Sequence, residues 1–104
     1  MIIRIFDTSV DPGDVEQAVA VFGTDVSPAF EAFDGCHGIE LLVGTDEHSG
    51  DLVELCAISR WDSRDAIDAA IGSDDYRAAL AEFRKLFQQT PIVRHFEGGL
   101  PAGR

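Results

Sequence analysis

The centre of the sequence restricts the fold more than any other part. HGIELLVGT (37–45) and DLVELCAISRW (51–61) are both strand-like runs, and only the polar stretch DEHSG lies between them. So short a polar gap reads as a hairpin, making the middle of the chain two antiparallel neighbours. Upstream, Ile2 to Asp7 is a third strand, rich in isoleucine and carrying Phe6. DPGD then marks a helix start, with Asp11 as N-cap and Pro12 at the first helical position. Val15, Val19, Phe22, Val26, Phe30 and Phe33 follow at helical spacing, but Gly23 and Pro28 interrupt them, which predicts a kinked or broken helix. Downstream, Asp62 or Ser63 caps one helical segment and Ser73 a second, whose apolar face is Ala79, Phe83, Leu86 and Phe87. Pro91 stops that segment, and IVRHFE is a fourth strand.

The order is therefore βαββαβ with the second helix broken in two. This is the ferredoxin-like α+β pattern, a four-stranded antiparallel sheet with both helices on one face. Residues 1–97 make one domain, and GGLPAGR (98–104) reads as a loose C-terminal tail.

Charge narrows the partners. With 8 basic and 19 acidic residues the net charge is −11, which repels phosphate backbones and anionic membrane surfaces, so nucleic acid and membrane are not expected as partners. No apolar run reaches membrane-spanning length, and MIIRIFD is interrupted by charge too early to be a signal peptide, so the expected location is cytoplasmic.

The helices cover one sheet face and leave the other. Alternation puts Ile3, Ile5, Asp7, Ile39, Leu41, Val43, Val53, Leu55, Ala57, Ser59, Trp61, Val93 and His95 on one side; this more apolar set is expected under the helices. The even positions carry Ile2, Arg4, Phe6, Glu40, Leu42, Leu52, Glu54, Cys56, Ile58, Arg60, Ile92, Arg94 and Phe96. So many large apolar groups on an uncovered face mark an interface. The expectation is a homodimer joined sheet to sheet, with arginine–carboxylate pairs among Arg4, Arg60, Arg94, Glu40 and Glu54 across or beside it.

Cys36 and His37 stand between Gly35 and Gly38, a pattern that invites a nucleophilic or metal reading. A metal site needs three or four ligands, and one thiol and one imidazole are present here. Neighbours on a strand also point to opposite faces, so the two side chains cannot converge. The two glycines are read as turning the chain at the strand start, and no metal is expected. If position 43 pairs with 53, Cys36 lies too far from Cys56 for a disulfide, so both are expected as free thiols.

GCHGIELL, ISRWDSRDAIDAAIGSDDYRAAL and PIVRHFE, in that order, resemble the antibiotic biosynthesis monooxygenase (ABM) family over about residues 1–97. The most specific piece is Trp61 ending the third strand, followed by Ser63, Asp65 and the helix start Ser73 to Tyr76. The resemblance implies a dimeric α+β barrel. It also implies either a cofactor-independent monooxygenase acting on a quinol- or phenol-like aromatic with O₂, or a non-catalytic small-ligand-binding or structural member. Haem-degrading relatives carry an Asn, a Trp and a His that align with Asp7, Ala70 and Leu80 here; none matches, so haem degradation is not expected.

No cofactor is expected. The candidate catalytic residues are Asp7 and His95, either of which would serve as the base. Ser59, Trp61 and Tyr76 are the candidate substrate-binding residues. Each also has a plain structural reading: strand end for Asp7, satisfied core residue for His95 and Trp61, packing for Tyr76. What separates the two readings is whether Asp7, Ser59, Tyr76 and His95 meet at one cavity.

Overall fold

The computed structural model describes residues 1–47 and 49–101; His48 in the central loop and the last three residues of the tail lie outside the described residues. Four strands, β1 (Ile2–Val10), β2 (Cys36–Val43), β3 (Val53–Trp61) and β4 (Ile92–Glu97), form one sheet in the order β2-β3-β1-β4. Every neighbouring pair is antiparallel. With its helices on one side, this is the ferredoxin-like α+β fold.

The strand β1 runs three residues past the expected end. Thr8, Ser9 and Val10 pair with Leu55, Glu54 and Val53 and are buried, although Thr8 and Ser9 bring polar side chains with them. Their polar groups find partners in the segment before β4. The Thr8 hydroxyl donates to the Gln89 carbonyl at 2.8 Å, the Ser9 hydroxyl donates to Gln89 Oε1 at 2.8 Å, and the Ser9 carbonyl accepts from the Gln88 N–H at 2.8 Å.

The first helical layer breaks where Gly23 and Pro28 predict. Asp11 is the extended N-cap of a 3₁₀ turn, Pro12–Asp14, which leads into α1 (Val15–Val21). One wide π turn, Phe22–Val26, follows, in which the Ser27 N–H reaches back five residues to the Phe22 carbonyl. Then α2 (Ser27–Ala32) starts with Pro28 in its first turn. Proline has no N–H to donate to the carbonyl four residues earlier, so regular α bonding cannot run through this point. After the hairpin, Ser63 and Ser73 cap α3 (Arg64–Ile71) and α4 (Asp74–Arg84), each accepting a backbone N–H from the third residue on, Ala66 and Tyr76, at 3.2 Å.

The sequence-based face assignment fails at β1. Ile2 lies opposite Trp61, Arg4 opposite Ser59 and Phe6 opposite Ala57. Residues opposite one another share a face, so even positions of β1 join odd positions of β3. Odd positions of β4, and of β2 from Ile39 on, face the helices, as expected; a bulge between Cys36 and Ile39 puts Cys36 opposite Trp61. Alternation within each strand is correct; the parity between strands is set by register, which residue numbers do not carry. Arg4 and Phe6, expected in a dimer interface, are therefore under the helices, each 6% exposed. Ile3, Ile5 and Asp7 take their places on the outer face, beside Glu40, Leu42, Glu54, Ile58, Arg60, Arg94 and Phe96.

The hairpin register also differs: Val43 pairs with Leu55, so Cys56 faces Leu42. Both cysteines are free.

Candidate functional site

Between the sheet and the helices lies a small enclosed space. Arg4, Phe6, Ile39, Ala57 and Ser59 floor it; Val26, Phe30, Tyr76, Leu80 and Phe83 cover it. Its volume is about 10 Å³, room for roughly one water. The walls are apolar except for a guanidinium and two hydroxyls.

Arg4 is the unusual member. Its Nη2 donates to the Tyr76 hydroxyl oxygen at 3.0 Å. Its guanidinium carbon lies 5.6 Å from the ring centroids of both Phe6 and Tyr76, within reach of cation–π attraction. Its Nε is buried with no hydrogen-bond partner. Among the described residues Arg4 forms no ion pair. A buried cation without a carboxylate is costly and therefore uncommon.

His95 stands beside it as the cross-strand partner of Arg4 on the helix-facing side of β4. The satisfied-core reading of His95 fails at one atom, because its Nε2 is buried without a hydrogen-bond partner. Burial pushes its pKa down, and the charges of Arg64 and Arg4 add to that, against the opposing pull of Asp68. The imidazole is therefore neutral at pH 7.

Ser59 and Trp61 act as a pair. Trp61 is fully buried, edge-on to Phe30 at 6.0 Å and stacked on Phe33 at 6.3 Å. Its indole N–H donates to the Ser59 hydroxyl at 2.8 Å. Trp61 thus belongs to the core and reaches the cavity only through Ser59. Tyr76 is held at its ring by Phe30, 5.9 Å away, and its hydroxyl accepts from Arg4 while keeping its own proton to donate.

Of the expected site residues, Ser59 and Tyr76 line one cavity and His95 adjoins it through Arg4. Asp7 does not join them. It lies on the outer face, opposite Cys56 and Ile92, where its charge helps raise the Cys56 thiol behind the larger effect of burial. The residue missed was Arg4. An arginine flanked by Ile3 and Ile5 gives no sign of facing inward until the β1–β3 register is known.

Cys36 and His37 separate, as their strand positions require. His37 Nε2 lies 2.5 Å from Asp62 Oδ1 at the surface, while the Cys36 thiol points to the Gly38 carbonyl at 3.7 Å, and burial pushes its pKa up. Gly35 (φ 79°) and Gly38 (φ 131°) both need positive φ, and a side chain at Gly35 would meet the Ala66 Cβ at 2.8 Å. Among the described residues no group of three His, Cys, Asp or Glu is placed to hold a metal, and no helix is long and apolar enough to cross a membrane.

The family model of the antibiotic biosynthesis monooxygenases (ABM) matches residues 1–82. No curated protein matches the sequence significantly. Solved structures do match in shape. One antibiotic biosynthesis monooxygenase has a TM-score of 0.74 at 16% identity, covering 97% of this chain and 100% of that one. A variant of SnoaB, a cofactor-independent oxygenase from Streptomyces nogalater, has a TM-score of 0.71 at 18% identity, covering 99% and 98%. Rv0793 from Mycobacterium tuberculosis has a TM-score of 0.68 at 22% identity, covering 98% of each chain. At these identities the structural likeness speaks for the fold; with the family match over most of its length, the chain belongs to the antibiotic biosynthesis monooxygenase family.

Proposed function

We propose that this protein is a cofactor-independent monooxygenase that oxidises a quinol- or phenol-like aromatic with O₂ beneath the helices. The observation that carries the reading is an apolar enclosure lined by the Tyr76 and Ser59 hydroxyls, with His95, whose buried Nε2 has no hydrogen-bond partner, next to its floor as the cross-strand neighbour of Arg4. SnoaB, similar in fold, is a cofactor-independent oxygenase.

The chemistry needs a base, a dry site and donors for an oxyanion. His95 takes the phenolic proton, since its lowered pKa leaves it unprotonated near neutrality. The electron-rich anion transfers electrons to O₂. One oxygen atom is kept as the new quinone carbonyl and the other leaves as water, so that a phenol and O₂ give a quinone and H₂O. Tyr76 donates to the ring oxygen, and the Trp61–Ser59 pair fixes the floor beneath it. Asp7 is set aside as the base because it is on the other face.

A ring needs more room than the space of one water. Val26 and Phe30 close the cavity, and both are carried by the π turn and α2, where the hydrogen-bond ladder is already irregular. Entry of substrate is proposed to displace this wall.

We also propose a homodimer through the outer sheet face, with Ile3 and Ile5 in place of Ile2 and Phe6. Leu42 (45% exposed), Ile92 (64%) and Phe96 (46%) stand uncovered there, and Arg60 pairs with Glu40 at 3.4 Å on the same face.

Oxygen uptake by the pure protein with a panel of hydroquinones and phenols tests the catalytic reading. Uptake above a denatured control, lost in His95→Leu, is expected; no uptake with any of them refutes it. The smallness of the cavity favours a second reading, a non-catalytic binding or structural member, which predicts ligand binding or none, but no oxygen uptake.

A further inference from the structure

Arg4 poses a question that the monooxygenase reading does not answer. It is 6% exposed, has no carboxylate partner among the described residues, and keeps a buried Nε–H unmatched. In a chain with net charge −11, counter-ions are abundant, yet none is placed here. A cation in an apolar enclosure with an open donor is a site prepared for a negative charge that arrives with the ligand.

We infer that Arg4 and Tyr76 form an oxyanion site that binds its aromatic ligand as the phenolate in preference to the neutral phenol, the ligand itself being the counter-ion of Arg4. This rests on the reading of the cavity as a site for phenol-like aromatics.

The geometry supplies two donors. Tyr76 accepts from Arg4 through its oxygen, so its own O–H is free to point elsewhere. The guanidinium has further N–H groups beyond the one on Tyr76, including the orphaned Nε–H. Hydrogen bonds from a guanidinium to an anionic oxygen are roughly twice as strong as neutral ones. A phenolate oxygen would satisfy both donors, whereas a neutral phenol would leave the guanidinium uncompensated. The Phe6 and Phe83 rings and the Ala57 methyl leave the other walls suited to an aromatic face.

Other charges point the same way. From β4, His95 faces Arg4 as a neutral group; from α4, Tyr76 does so through its hydroxyl oxygen. From α3, Arg64 and Asp68 act on His95 with opposite signs. Arg84, over the Phe6 ring at 6.0 Å, and Arg64 are further cations nearby, but Arg4 is the single charged residue among the described ones that lines the cavity itself.

The test uses chromogenic phenols whose ionised forms absorb separately, 4-nitrophenol for a single ring and 2-naphthol by fluorescence for two. Each is titrated with pH in the presence of excess protein. The expected result is a bound-state pKa lower by about one unit or more, equivalent to roughly tenfold preference for the anion. In Arg4→Met the preference disappears; in Tyr76→Phe it shrinks. Should Arg4→Met fail to fold, Tyr76→Phe and Arg4→Lys still decide: the first must weaken the preference and the second must keep part of it. The inference is overturned if neither probe binds, if bound phenols keep their solution pKa, or if the variants bind phenolate as the wild type does. Because this readout needs no O₂, it separates from the catalytic reading. Anion-selective binding without oxygen uptake keeps the inference and removes the monooxygenase. Oxygen uptake unchanged in Arg4→Met does the reverse.

Discussion

Removing a single oxygen atom from Tyr76 should cost more stability than removing the whole guanidinium of Arg4. Tyr76→Phe keeps the ring and its packing against Phe30 at 5.9 Å. What it removes is the acceptor for Arg4 Nη2 at 3.0 Å, in a place where Arg4 is 6% exposed and water cannot substitute freely. A hydrogen bond to a charged group contributes about 1.5–3 kcal/mol, and stranding a buried donor adds desolvation cost on top. Near 4–8 °C per kcal/mol for a domain of this size, Tyr76→Phe should lower Tm by about 10–20 °C. Arg4→Met instead removes the charge together with its desolvation penalty and keeps an apolar stem of similar length. Replacing a buried ion by an apolar side chain is often neutral or stabilising, so a change within about 1 kcal/mol of wild type, of either sign, is expected. The double variant should then be more stable than Tyr76→Phe alone by about 1 kcal/mol or more, a non-additivity expected of groups in contact. Urea denaturation at one fixed protein concentration measures all four proteins, since the proposed dimer ties stability to concentration. If Arg4→Met proves more damaging than Tyr76→Phe, or if the two losses simply add, Arg4 is a structural asset and the reasoning about its missing counter-ion fails.

Three further outcomes are expected. Ile58→Asp, on the outer face between Ile5 and Glu40, should convert the proposed dimer to monomers of 11.3 kDa or to insoluble protein; light scattering that finds the wild type already monomeric would remove the interface. Trp61→Phe should cost about 1–3 kcal/mol, because it strands the buried Ser59 hydroxyl now bonded at 2.8 Å, and a melt unchanged from wild type would contradict that. His95 has its pKa lowered by burial and by Arg64 and Arg4, so the unfolded chain binds more protons as the pH falls below about 6.5; stability present above that pH should be lost on acidification, and His95→Leu should flatten this part of the stability–pH curve.

Much of the fold was readable because its signals are local. Ser63 and Ser73 announce helix starts by chemistry that needs only three following residues, and both cap as expected. Gly23 and Pro28 announce a broken helix, although not that the break takes the form of a π turn. The end of β1 was not readable, because Thr8 and Ser9 are kept in a strand by Gln88 and Gln89, some eighty residues away. The site was half readable for the same reason. Ser59 and Tyr76 follow from positions within β3 and α4, whereas Arg4 and Asp7 exchange faces according to a register that only the pairing of β1 with β3 decides.

The π turn at Phe22–Val26 has a consequence for how this chain can vary in length. A π turn amounts to one residue inserted into an α-helix. Four α-helical residues advance the side chains by about 400°, and here five residues make that advance, so the wide turn absorbs the extra one and α2 keeps the phase of a regular helix. Deleting Gly23 or Thr24 and letting the ladder close as regular helix would therefore leave Val26 and Phe30 over the cavity. A second insertion into regular helix between the wide turn and Phe30 would instead turn Phe30 by about 100° and swing it off the roof. The chain can thus gain or lose one residue at this turn, and only there, without changing which side of α2 looks inward.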